Sequence, residues 1–250
     1  MRLVKYGVTL RRITENDLEL LRNWRNSEQI KKFMHFREFI TPEMQRKWFE
    51  SVNNPDNYYY IIEYRENSIG LINEKNFDRT GTGTTESGIF IADENFSNSH
   101  VPVCASLILI EINLYWFNGK DSYIRILRDN YRSVNYNRQL GYVLCPGQEQ
   151  VDNQLYVMTR KNFEIKTRKI IRAALRLSGG DSNLYIIMEK TDYNSGLAQA
   201  YENFFRNYPL KVDKKTDERG NTVFYYDMGI QDPVRPGKLD PGIEITPIIY

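Results

Sequence analysis

Two stretches of the chain hold residue types and spacings able to do chemistry. In the first, a strand-like run from Glu86 to Ala92 passes through a polar loop, Asp93 to His100, into an apolar helical stretch. A strand ending in a loop that feeds a helix N-terminus turns unpaired backbone N–H groups toward an anion such as a pyrophosphate. The second reads Asn130-Tyr-Arg-Ser133-Val-Asn-Tyr136-Asn137-Arg-Gln-Leu140-Gly141-Tyr142, a short helix after a strand, closed by leucine, glycine and an aromatic. A third stretch, 160–176, carries seven basic residues and one acidic one, with Phe163, Ile170, Ile171, Ala174 and Leu175 at helical spacing. A solvated basic face is its first reading, a phosphate contact the second and nucleic acid the third. Cys104, Cys145, His35 and His100 have no metal-ligand spacing, so no metal is expected and the thiols read as buried.

The elements that must position these residues follow from local signals. A strand is expected over 4–13, interrupted by Gly7. Thr14-Glu-Asn-Asp17 opens a helix to about residue 26. Thr41-Pro42-Glu43 opens another, with Met44, Trp48, Phe49 and Val52 as its apolar stripe. Strands over 58–63 and 68–73 flank a turn at Arg65-Glu66-Asn67, and a loop is expected around Gly81 and Gly83. After the strand over 86–92 come a long helix (103–117), a strand (123–127), a helix (133–140) and strands at 142–145 and 155–159. Leu177-Ser-Gly-Gly-Asp-Ser182 is the best linker, which divides the chain into 1–177 and a small strand–helix–strand appendage, 178–250. Four of the nine prolines lie at or after Pro233, so a surface tail without regular structure closes the chain. The appendage is too small to stand alone and is expected to pack on the core or on its copy in a second chain.

Composition excludes several classes. Of 250 residues, 41% are hydrophobic and 13% aromatic, too rich for a disordered chain. No apolar run reaches the ~20 residues of a membrane helix, and the opening residues hold no signal-peptide core, so a cytoplasmic protein without membrane attachment is expected. Thirty-four basic and 32 acidic residues leave a net charge of +2, which does not advertise a nucleic-acid partner.

On these motifs the chain resembles the GNAT acetyltransferase superfamily. The family signature is an asparagine, a serine three residues on, and Leu-Gly-Phe seven residues after that. Asn130, Ser133 and Leu140-Gly141-Tyr142 match it at every interval. The element order matches over about 4–160. Leu10-Arg-Arg-Ile-Thr-Glu-Asn-Asp17, Trp24-Arg25-Asn26, Ile40-Thr-Pro-Glu43, Gln45 and Trp48-Phe49 are similar to a bacterial branch containing sugar-nucleotide and ribosomal-protein N-acetyltransferases.

The resemblance implies an α+β fold, a mixed central sheet flanked by helices. It also implies transfer of an acetyl group from acetyl-CoA, as co-substrate and without a metal, to the primary amine of a small acceptor. A nucleotide-linked amino sugar or similar metabolite is the first acceptor class, and a protein or ribosomal N-terminus is the alternative. A homodimer stays open. A non-catalytic binding module on the same fold is the reading from a different class. Glu86 is then the best-placed base, with a salt-bridged strand residue as its other reading. Asn137 stands where many relatives carry a tyrosine that protonates the departing thiolate. Asparagine is no acid, but a thiol leaves without one, and Tyr136 and Tyr142 are nearby substitutes or core residues. Ile89, Ile91, Asn98, Ser99, His100, Val101, Val103, Asn130 and Ser133 fall to the cofactor, with Asn130 also readable as a helix cap. Arg25 and Met34 fall to the acceptor, a guanidinium suiting a phosphate or carboxylate. The family's pyrophosphate loop, Arg/Gln-x-x-Gly-x-Gly/Ala, aligns with 97–102. There His100 replaces the first glycine, and Pro102, with no N–H to donate, replaces the second.

Overall fold

Where one strand is expected over 4–13, the chain turns back on itself. Tyr6 and Gly7 take positive φ of 55° and 72°, and β1 (Arg2–Lys5) and β2 (Val8–Arg12) pair as an antiparallel hairpin. The Gly7 interruption is therefore a hairpin turn. The structure is a computed structural model that describes residues 1–54, 57–76, 84–116, 119–207 and 212–228. The expected loop around Gly81 and Gly83 and the tail from Pro233 onward lie outside the described residues.

Local signals place the next elements. Thr14 and Asp17 close a capping box ahead of α1 (Leu18–Asn26), and the short α2 (Glu28–Lys31) follows. Thr41 Oγ1 accepts from Met44 N at 3.3 Å to start α3 (Pro42–Val52). On α3, Phe49 is buried and Trp48 and Val52 pack on the same cluster as expected, while Met44 is exposed and Gln45 is buried in its place. Strands β3 (Tyr58–Tyr64) and β4 (Asn67–Lys75) join through a two-residue turn in which Arg65 and Glu66 both have positive φ (49° and 67°). Next come β5 (Thr85–Ile91), α4 (Val101–Glu111) continued by a wider π-type turn over Ile112–Trp116, and β6 (Asp121–Leu127). Then follow α5 (Tyr131–Gln139), β7 (Val143–Leu144), β8 (Asn153–Thr159) and α6 (Arg160–Leu177). Phe163, Thr167, Ala174 and Leu175 are the buried face of α6, and its basic residues lie on the other side.

Gly179 and Gly180, at φ of 81° and 85°, turn the chain into β9 (Asn183–Met188). The helices α7 (Lys190–Asn194) and α8 (Leu197–Asn207) and the hairpin β10 (Asp213–Thr216) and β11 (Thr222–Asp227) follow. Of these, α7 and β10 carry no sequence signal strong enough to be expected. The described strands form one sheet in the order β10-β11-β9-β1-β2-β3-β4-β5-β6-β8-β7. Residues 183–227 thus extend the main sheet, β9 pairing with β1. Leu184, Ile186, Met188, Leu197, Tyr201, Phe204 and Phe224 join the same buried cluster as Leu3, Val8 and Leu107.

Helices cover both faces. On one side α1 and α3 bury Leu21 and Phe49 against Ile13, Tyr59, Ile61 and Leu71. On the other lies α4, buried at every position except Val103. It needs no polar face because protein surrounds it. Cys104 sits in that helix, and burial pushes its thiol up to about 12. Cys145 is only half-buried, unlike the buried thiol expected there.

Candidate active site

Each strand pair in the sheet is antiparallel except β5 with β6. That parallel pairing covers only Thr85↔Ser122 and Glu86↔Tyr123. Beyond it the strands diverge: β5 stays with β4 up to Ile91, and β6 stays with β8 up to Leu127. The edge of Gly88 to Ile91 that faces β6 is left without a strand partner, and it opens onto a cavity of about 1130 Å³. Unpaired strand amides along a cleft are ready donors for an extended amide-bearing ligand or a developing oxyanion.

The cavity gathers many of the residues singled out by sequence. Arg25, Met34, Glu86, Ile89, Ile91, Asn98, Asn130, Ser133 and Asn137 all line it. The fold places Ser99, His100, Val101 and Val103 outside its lining. Val101 is buried, and its amide donates to Ser99 Oγ at 3.2 Å. His100 stacks edge-on against Tyr64 with ring centres 5.7 Å apart. Pro102 lines the cavity but has no N–H. A cation does reach this rim: Arg132, one residue into α5, donates through Nη2 to Asn98 Oδ1 at 2.7 Å. Arg132 carries no signal in the sequence, because the family signature names only its neighbours Asn130 and Ser133.

Several motif residues serve the framework. Asn130 caps α5, its Oδ1 accepting from Ser133 N at 3.1 Å, which explains a three-residue spacing. Asn137 Nδ2 donates to Ser133 O at 2.9 Å. Gly141, at φ 100°, packs on the first turn of α6, where an added Cβ would lie 2.8 Å from Asn162 C and 2.9 Å from Asn162 O. Arg11 forks onto Asp17 at 2.8 and 2.9 Å and reaches Glu63 at 2.6 Å.

On the other wall, Asn26 clamps Ile40 through both backbone groups, at 2.9 and 2.8 Å, and so fastens the 32–40 segment that carries Met34. Gln29 donates to Ala92 O at the end of β5. Arg25 is half-buried, its Nε has no hydrogen-bond partner, and desolvation lowers its pKa. A guanidinium held this way is electrostatically expectant: an anionic group in the cavity would offset its desolvation.

Two carboxylates face the splay. Glu86 is ion-paired with Lys75 at 2.8 Å. Glu74, one strand over, is 5% exposed with no hydrogen-bond partner at Oε1, and burial pushes its carboxyl up to about 8 against hydrogen bonds from Asn113 and Ser87. Nothing in the sequence flags Glu74, because a glutamate at a strand end ordinarily faces water. Tyr136 donates to Pro102 O and meets Ser106 Oγ, both at 2.8 Å, and burial raises its pKa. Tyr142 meets Ser122 Oγ at 2.7 Å, and burial raises its pKa as well.

Comparison with known proteins agrees with this architecture. A family model described as an acetyltransferase (GNAT) domain matches residues 8–143. An uncharacterized protein from Methanocaldococcus jannaschii is 28% identical over 139 residues, 54% of this chain and 28% of the relative, so the match spans little more than a quarter of that protein. A solved domain from the same organism is 28% identical, with a TM-score of 0.52 over 61% of this chain and 97% of the domain. Two further structures share the fold at lower identity. FdhC, a nucleotide-linked sugar GNAT, is 19% identical with a TM-score of 0.57, covering 69% of this chain and 97% of its own. Spermidine N-acetyltransferase from Vibrio cholerae, in complex with CoA and spermine, is 15% identical with a TM-score of 0.55, covering 64% and 99%. Among the described residues no helix is long and apolar enough to cross a membrane.

Proposed function

Because the chain belongs to the GNAT acetyltransferase family, we propose that it transfers the acetyl group of acetyl-CoA to a primary amine on a small anionic metabolite, with a nucleotide-linked amino sugar as the first acceptor class. The observation that carries this reading is the 1130 Å³ cavity at the β5–β6 splay, with unpaired strand amides on one side and a half-buried, underpartnered Arg25 on the other. The splay fits an extended thioester-bearing arm: the Gly88-to-Ile91 edge would hold its amides, and one of those N–H groups would steady the oxyanion that forms as the amine attacks the thioester carbonyl. Arg132 and Asn98 at the rim suit the pyrophosphate, in place of the amides that Pro102 and the Ser99–Val101 bond remove. Arg25 would hold the acceptor's phosphate or carboxylate, and Met34 and Trp48 would border its apolar part. FdhC, a nucleotide-linked sugar GNAT, shares this fold. The reading places the protein in the cytoplasm without nucleic acid or membrane, with 1–177 as the transferase unit and 178–250 as an appendage whose strands β9, β10 and β11 extend its sheet.

Calorimetry with acetyl-CoA tests the first half, and acetyl transfer to a nucleotide-linked amino sugar, a polyamine and an N-terminal peptide tests the second. Heat on cofactor addition and preference for the sugar nucleotide are expected. The altered loop, where Val101 N is spent on Ser99 Oγ and Pro102 has none, favours one second reading, a binding module that has given up catalysis. Absence of both heat and thermal shift at millimolar acetyl-CoA would establish that reading instead.

A further inference from the structure

At the vertex of the splay the polar side chains form a continuous chain from one cavity wall to another. Glu74 on β4 stands opposite Ser87 on β5 in register. Ser87 Oγ lies 2.9 Å from Ser122 Oγ on β6, and Ser122 Oγ lies 2.7 Å from the Tyr142 phenol at the start of the turn into β7. In each of these two bonds either oxygen is able to donate. Glu74, Ser87 and Tyr142 line the cavity, whereas Ser122 is fully buried between them. A buried carboxyl with an oxygen lacking any partner is costly to keep. Here it sits where the strands part.

We propose that Glu74, Ser87, Ser122 and Tyr142 form a proton relay that takes a proton from the attacking amine at the Glu74 end and returns one to the departing thiolate at the Tyr142 end. This rests on the acetyl-transfer reading above. In the step, a C–N bond forms between the amine and the thioester carbonyl carbon, and the C–S bond breaks with its electron pair on sulfur. The Glu74 carboxylate takes the N–H proton, and Tyr142 gives its phenolic proton to sulfur. Ser122 then reprotonates Tyr142, Ser87 reprotonates Ser122, and Glu74 returns its proton to Ser87. All four groups end as they began, and one proton has moved from nitrogen to sulfur. The relay supplies an acid that Asn137 cannot be, its amide being bonded to Ser133 O.

The surroundings suit the Glu74 end, and burial keeps the Tyr142 phenol protonated as a donor. A carboxyl pushed up to about 8 is poised to take and return a proton near neutrality. The ionisable groups packed around it are phenols: Tyr58 opposite on β3, then Tyr60 and Tyr201 beside the small void under Glu74, and Tyr142 across the relay. The charged groups of the neighbouring elements are already committed, Glu111 of α4 to Lys5 and Glu86 of β5 to Lys75.

The test uses the full chain with CoA and with a nucleotide-linked amino sugar. With CoA alone, ultraviolet titration of the bound thiol should show its pKa rising by roughly one unit in Tyr142→Phe, because a donor to the thiolate is lost. In turnover, Glu74→Gln, Tyr142→Phe and Ser122→Ala should each lower kcat by roughly 100-fold, the scale of proton-transfer catalysis, with KM for acetyl-CoA within about twofold. Thermal melting checks that the variants fold, and Ser122→Ala is the mildest of them. Unchanged thiol titration in Tyr142→Phe with CoA binding intact overturns the relay alone. So does a kcat loss confined to Glu86→Gln. Failure of CoA to bind the wild-type chain overturns the relay and the acetyl-transfer reading together.

Discussion

Replacing Gly141 by alanine separates two costs that the Leu-Gly-aromatic motif combines. The first is backbone conformation: at φ 100° a residue with a Cβ is strained by about 1–2 kcal/mol. The second is contact. The new Cβ would sit 2.8 Å from Asn162 C, 2.9 Å from Asn162 O and 3.0 Å from Phe163 N. Those are backbone atoms in the first turn of α6, which Thr159 Oγ1 caps by accepting from Asn162 N at 3.2 Å, so the helix start has to move as a body. Overpacking of this kind adds about 1–3 kcal/mol. Gly147 is the matched control: its φ is 77°, yet nothing lies within 4 Å of a Cβ built on it. Gly147→Ala should therefore cost the conformational term alone. The two variants should differ by about 2 kcal/mol, which for a chain of this size is roughly 4–8 °C in Tm. Urea unfolding and calorimetric melting of both proteins give the comparison. Equal losses in the two variants would refute the argument that α6 is what requires glycine at 141. Gly141→Ala should also weaken acetyl-CoA binding, because strain at 141 is shared with its neighbours Leu140 and Tyr142, which line the cavity, whereas Gly147→Ala should not.

Other consequences are as direct. Arg25→Ala should raise the acceptor KM by an amount worth about 1–3 kcal/mol, with acetyl-CoA affinity unchanged in calorimetry. The same variant should not lower Tm, since the Arg25 Nε has no partner to lose. Lys5→Met should cost about 3–5 kcal/mol in urea unfolding, because it leaves the buried Glu111 carboxylate, 5% exposed, without the cation 2.8 Å away and with only the Tyr6 phenol donating to it. Glu74 binds its proton more tightly folded than unfolded, so its contribution to stability is full below the ordinary glutamate pKa and is lost as pH rises through about 8. Glu74→Gln should accordingly gain stability over wild type between pH 5 and 9, by a few kcal/mol at most (~3–5), read from Tm against pH. Replacing Arg65-Glu66 by Asn-Gly should stabilise the β3–β4 hairpin by about 0.5–1 kcal/mol, because both positions have positive φ.

What the sequence determined by itself was the set of features whose physics is confined to a few neighbouring residues. Helix starts are of this kind: Thr14 with Asp17, Thr41 with Met44 and Asn130 with Ser133 each satisfy an orphan N–H within three positions, so the spacing alone reveals them. The order of strands and helices through 160 followed from the same local signals, except for the β1–β2 hairpin and the short α2, and the family resemblance rested on the spacing of Asn130, Ser133 and Leu140-Gly141-Tyr142. The splay, the identity of the buried carboxylate and the continuation of the sheet were decided by the tertiary structure. Glu86 and Glu74 are both strand glutamates, and a period of two gives the face of a strand without saying which face loses water. The fold pairs Glu86 with Lys75 on the adjacent strand and encloses Glu74 among Tyr58, Ser87 and Asn113. His100 reads as part of a phosphate loop until Tyr64, distant in sequence, takes its ring. The glycine-rich turn after Leu177 marks off a segment expected to pack on the core, but that it does so as a strand on the edge of β1 is something no local pattern exposes. Desolvation and strand pairing are set by residues far apart along the chain, and only the folded arrangement brings them together.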